Sequence, residues 1–107
     1  MPKVYITNYN PDYDYEAAEQ IGETIHMTTG HMPEYKLKGL KEKFDKFAAS
    51  AERGDFLLLS GSNIVTAIAA ISWMEIHPEV VLLQHGKTKN SDGVYQTSYI
   101  RYHVTST

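Results

Sequence analysis

The chain has no cysteine. Disulfides and thiolate metal sites are therefore excluded, and the absence is compatible with a reducing compartment. Long hydrophobic runs are also missing. The longest, Ile64 to Met74, is interrupted by Thr66 and Ser72 and falls well short of the ~20 apolar residues of a membrane span. Positive charge is scarce: 10 Lys and Arg stand against 13 Asp and Glu, a formal net charge of −3. That balance argues against broad binding to duplex nucleic acid, which needs an excess of basic residues over one face. The N-terminus lacks the basic and apolar regions of a signal peptide. Together these absences predict a cytoplasmic protein, in a bacterial or host cytosol, with no membrane partner.

Motifs of high specificity are missing as well. There is no Walker lysine and no three-glycine dinucleotide fingerprint. Gly61-Ser62 lacks the second glycine of a nucleophile elbow, because Ile64 stands there. His26 and His31 flank Gly30 without the one-turn spacing of a zinc pair. No metal and no cofactor is expected.

What is present suits a folded α/β domain. With 107 residues, 42% of them apolar, residues 1–107 read as one domain with a core of its own. Lys3 to Thr7 is β-branched and aromatic, a strand. Asn8 to Asp14 is a loop, in which Asp12 or Asp14 can cap a helix. Tyr15, Ala18, Ile21 and Ile25 fall at helical spacing, which predicts a first helix running to Thr28-Thr29-Gly30. A second helix is predicted from Leu37 to Glu52, with its charged face (Lys38 to Lys46) in solvent. Asp55 to Leu59 is a continuous apolar run, the mark of a strand buried on both faces. Ser60-Gly61-Ser62-Asn63 follows, then a third helix from Ile64 to Ile76, apolar nearly all round and so largely buried. Glu79 to Gln84 is another strand, Gly86 to Gly93 a polar turn, and Val94 to Val104 a final strand pairing antiparallel with it. The predicted order is strand, helix, helix, strand, helix, strand, strand. The expected fold is α/β: a small Rossmann-like three-layer domain with three parallel strands and an antiparallel C-terminal strand.

Ligands in such sheets bind beyond the C-terminal strand ends. The ends offer Thr7, Asn8 and Tyr9; then Ser60, Gly61, Ser62 and Asn63; then His85 and Lys87. The start of the antiparallel strand adds Gln96. The Ser60–Asn63 loop leads straight into a helix, so its free N–H groups and the positive helix end suit an anion. Thr7 and Asn8 would orient a ligand, Tyr9 would stack on a base, and His85 or Lys87 would balance charge. The same four loop residues are also ordinary turn-and-cap chemistry.

The run Lys3-Val-Tyr-Ile-Thr-Asn, with Leu59-Ser-Gly-Ser-Asn-Ile-Val-Thr, resembles in layout the small viral Rossmann-like proteins that bind or cleave cyclic oligonucleotide signals of antiviral immunity. The resemblance covers about a third of the chain. The segment from Asp14 to Glu52 departs from the viral layout, and Ser62 stands where the viral ring nucleases carry a catalytic histidine after the loop glycine. The resemblance therefore implies a viral anti-defence protein that binds such a signal rather than one that cleaves it by that mechanism.

The expected function is a binding module for a phosphate-bearing small molecule, a nucleotide or cyclic oligonucleotide. Two alternatives stand beside it. One is a metal-independent phosphodiesterase or ring nuclease on the same site, with Ser62 or His85 as the active group. The other is a protein–protein interaction regulator without a small ligand. Eight tyrosines in so short a chain also favour a homodimer.

Overall fold

The structure, a computed structural model, describes residues 2–105. It is built on one five-stranded sheet with the order β2-β1-β3-β4-β5. The strands are β1 (Lys3–Ile6), β2 (Glu23–His26), β3 (Phe56–Leu59), β4 (Glu79–Lys89) and β5 (Tyr95–Thr105). The first four in the sheet run parallel and β5 runs antiparallel to β4. The helices are α1 (Glu16–Ile21), α2 (Glu34–Leu37), α3 (Leu40–Ser50) and α4 (Asn63–Ile76).

The alternation of the strands sorts the core into two layers. Val4, Ile6, Leu58 and Leu83 face α1 and pack with Tyr15 and Ala18. Tyr5, Leu57 and Val80 face the other way, onto Phe44 and Ala48 of α3 and Val65, Ala69 and Trp73 of α4. Tyr5 meets Trp73 edge to face, with ring centroids 5.2 Å apart, the arrangement that aromatic quadrupoles favour. His77, just past α4, ties that helix to α3 through its Nε2, 2.7 Å from the Ala48 carbonyl.

Four expectations are corrected. The first helix does not run to Gly30. It ends at Ile21, and Glu23–His26 form β2, a fourth parallel strand, where the sequence predicted three. Gly22 makes the turn: a Cβ there would sit 2.0 Å from the Pro2 carbonyl oxygen, so only glycine lets the chain pass so close. Ile25 then packs on the face opposite α1 rather than continuing the helix. The second helix is split, because the left-handed Gly39 (φ 82°) separates α2 from α3. The polar stretch from Gly86 is strand as far as Lys89, leaving a tight turn closed by Gly93 N–H to the Asn90 carbonyl at 3.0 Å. Finally, α4 is buried along one face only: Ile64, Ile71 and Met74 are exposed.

β3 and the loop after it fall where predicted, and Ser62 is the N-cap of α4, its hydroxyl accepting the Val65 N–H. Asp14 accepts the N–H of Glu16 at 2.9 Å, at the start of α1. Among the described residues no helix is long and apolar enough to cross a membrane.

Candidate functional site

The strand order reverses direction between β1 and β3, the place where open α/β sheets usually leave a crevice. Here that crevice is filled. Thr7 is fully buried, and its hydroxyl donates to the Ser60 carbonyl and accepts the Ser60 N–H at 2.8 Å. Ser60 Oγ lies 2.9 Å from the Tyr15 hydroxyl, so every polar atom of Ser60 is used inside the fold. Asn8 donates to the Gly30 carbonyl at 2.9 Å and accepts from the Thr28 hydroxyl, also at 2.9 Å. Gly61 closes the gap further: at φ 108° a Cβ would fall 2.8 Å from the Asn8 Cβ. Tyr9 already stacks on His26, with centroids 4.0 Å apart and planes 9° from parallel, and on Tyr15 at 5.0 Å. Thr7, Asn8 and Tyr9 therefore hold the strand ends together, and none of them is among the residues that line the open cleft.

The open cleft lies one strand further along, between the end of β3 and the stretch of β4 that runs past it, residues 84–87. It has a volume of about 610 Å³ and is walled by Ser60 and Gly61 on one side, His85, Gly86 and Lys87 on another, and Asp12, Tyr13 and Asp14 across its mouth. Of the ten predicted ligand residues, the fold brings Ser60, Gly61, His85 and Lys87 to this cleft. Ser62 and Asn63 are exposed at the start of α4 beside it. Gln96 pairs with Thr88 on the hairpin and does not line it. No hydrogen bond joins Ser62 to His85.

Among the described residues, the N–H groups of Gly61, Ser62 and Asn63 have no acceptor within the chain. They are orphan donors of a 14-residue helix, which carries partial positive charge at this end. The opposite wall is acidic. The sequence offers Asp12 or Asp14 as a helix cap; Asp14 takes that role at Glu16, and only the course of the loop after β1 reveals that both residues face the cleft. That they could do so follows from the strand-end rule, which applies to every residue of that loop.

His85 stands opposite Tyr99 in the β4–β5 register. The rings of Tyr13, Tyr15 and Tyr99 surround it, with centroids 5.7, 5.5 and 5.1 Å away. Its Nε2 is buried and has no hydrogen-bond partner among the described residues. Burial pushes its pKa below the ordinary histidine value, so at neutral pH it enters the cleft as an uncharged ring. Lys87 is then the cation of the cleft lining. Burial first, then the neighbouring Tyr15 and Asp14, holds the Tyr99 phenol up at about 12.

A second recess of about 310 Å³ opens on the α3 side, at the end of β2. It is lined by Lys36, Lys38 and Lys43 with Thr28 and Thr29. Among the described residues no three His, Asp or Glu side chains group closely enough to hold a metal ion.

No curated protein and no solved structure matches the chain. The resemblance to cyclic-oligonucleotide proteins thus has no counterpart in these comparisons. A family model does match, the phage Pam3 gp32-like protein, over residues 2–100. That span is nearly the whole chain, and the chain belongs to this phage protein family.

Proposed function

We propose that the chain is a binding module for a small phosphate-bearing molecule, a nucleotide or cyclic oligonucleotide, held in the cleft between the end of β3 and the stretch of β4 that runs past it. The observation that carries this reading is the set of unpartnered N–H groups at Gly61, Ser62 and Asn63, at the mouth of α4 and beside a 610 Å³ cleft. Among the described residues, Lys87 supplies the one full positive charge of the lining. Asp12 and Asp14 would repel a second phosphate in the same place. They suit the donor groups of the rest of such a ligand, ribose hydroxyls or a base amino group, which carboxylates accept well. Tyr13 and His85 give that part of the ligand ring surfaces to lie against. The sheet order also supports the reading, since reversal between β1 and β3 is the doubly wound arrangement of Rossmann-like nucleotide binders.

Titration calorimetry with AMP, ATP, a cyclic dinucleotide and inorganic phosphate tests this. Binding of a nucleotide should weaken by about tenfold, or 1.4 kcal/mol, in Lys87→Glu, and Lys43→Glu should leave it unchanged. Absence of millimolar or tighter binding across the panel would reject the reading. Loss in Lys43→Glu with Lys87→Glu unaffected would move the anion to the lysine-lined recess and reject the cleft.

A further inference from the structure

Among the described residues, nothing packs on the outer face of α4. Ile64, Ala67, Ile71 and Met74 recur at three- and four-residue steps and so form one line along the helix. Ile64 and Ile71 are each 51% exposed and Met74 39%. The only charged residue of α4 is Glu75, and Lys41 of α3 engages it at 2.8 Å. A helix apolar on all sides is normally enclosed on all sides. This one is enclosed only where it meets α3 and the sheet.

The same side of the sheet carries a complementary gap. On β5, Ile100 and Tyr102 point to the α4 face, opposite Gln84 and Leu82. Leu82 packs against the core that holds α4, so the apolar surface runs on from that core to Tyr102. Among the described residues no helix covers β5 there: Ile100 is 59% exposed and Tyr102 66%. The molecule thus has a bare strip of sheet in need of a helix, and a helix with a bare apolar side in need of a surface.

We infer that this face is the contact between two copies of the chain, in which the outer line of each α4 lies on the β4–β5 strip of the other across a two-fold axis. Several observations select a second copy. Each half of the patch supplies what the other half lacks, which is the self-complementarity an isologous dimer requires. Neither half bears a free charge that would single out a partner of opposite sign. The five exposed side chains present roughly 500 Å² in all, and with their surroundings approach the ~800 Å² per partner of a standard interface. This inference does not depend on the proposed ligand.

The test uses the full chain. Sedimentation equilibrium should show a dimer at micromolar concentration, and Ile71→Glu and Tyr102→Glu should each raise its dissociation constant roughly hundredfold or more with an unchanged circular dichroism spectrum. Both side chains are exposed in the single chain, so neither substitution threatens the fold. Because the chain has no cysteine, Ile71→Cys mixed with Tyr102→Cys should give a disulfide-linked dimer under oxidation, in greater yield than either variant alone. A wild-type chain that stays monomeric, a dimer that survives both glutamates, or equal cross-linking in the unmixed samples would each overturn the inference.

Discussion

One hydroxyl joins the ends of β1 and β3: Thr7 Oγ1 accepts the Ser60 N–H at 2.8 Å and donates back to the Ser60 carbonyl. The pair is buried, and water cannot replace either bond. It therefore sets where the loop before α4 begins, and with it the direction of the Gly61–Asn63 N–H groups.

Thr7→Val keeps the shape of the side chain and removes both bonds. Two buried backbone groups of Ser60 are left unpaired, which should cost about 2–4 kcal/mol. Thr7→Ser retains the hydroxyl and should cost about 1 kcal/mol for the lost methyl. Urea unfolding followed by the fluorescence of Trp73, the one tryptophan of the chain, checks both. A valine variant no less stable than the serine variant would show that the hydroxyl is dispensable.

Gly61→Ala should destabilise more than Gly30→Ala. Both positions have positive φ, 108° and 77°, but nothing lies within 4 Å of a Cβ at Gly30, whereas at Gly61 the Asn8 Cβ lies 2.8 Å away. Backbone strain alone is expected at Gly30, about 1 kcal/mol. The added collision at Gly61 should bring the cost to about 2–3 kcal/mol. Thermal melts of the two variants measure the difference, and equal melting temperatures would contradict the close packing of Asn8 on Gly61.

Acid should weaken the fold through His85. Burial lowers its pKa from the ordinary 6.5. Above that value both folded and unfolded chains hold a neutral ring, and the residue adds no pH dependence. As pH falls below it, the unfolded chain takes up the proton first, so stability declines until His85 itself protonates. His85→Phe, which cannot titrate, should lose less stability over the same interval. Chemical denaturation at stepped pH compares the two, and parallel curves would show that His85 is not desolvated.

How much of this could be read in the residues differs along the chain. β3 and the start of α4 were legible because Phe56-Leu57-Leu58-Leu59 is a short apolar run stopped by Ser60-Gly61, and few structures other than a central strand accept such a run. β2 was not. Ile21 and Ile25 are four apart, which suits a helix, and the four residues Glu23–His26 are too few to show alternation against that pattern. The contrary signal was Gly22, whose role depends on a contact with Pro2 across the fold. In the site, Gly61, His85 and Lys87 could be gathered by the strand-end rule. The same rule named Thr7 and Asn8, which the fold spends on internal bonds instead. Asp12 and Asp14 look alike as helix caps and as a cleft wall, and only the path of the loop separates the two roles. The exposed side of α4 has a similar origin: an apolar helix announces that it will be covered, but not by which molecule.

The β4–β5 ladder is 11 residue pairs long, whereas β3 supports β4 only from Val81 to Gln84. Beyond Gln84 no third strand pairs with the hairpin, and past the His85–Tyr99 pair it is a two-stranded ribbon, braced at its tip by Asn90 Oδ1, which accepts the N–H groups of Asp92 and Val94 at 3.0 Å. An isolated ribbon of this kind is marginal in water, so it should open far more often than the sheet beneath it. Amide hydrogens in the 87–97 span should exchange with solvent well ahead of those in the 80–84 span. Because Gly86 and Lys87 form one wall of the cleft, that wall should yield before the Ser60–Gly61 side does, and the entrance should widen with the core undisturbed.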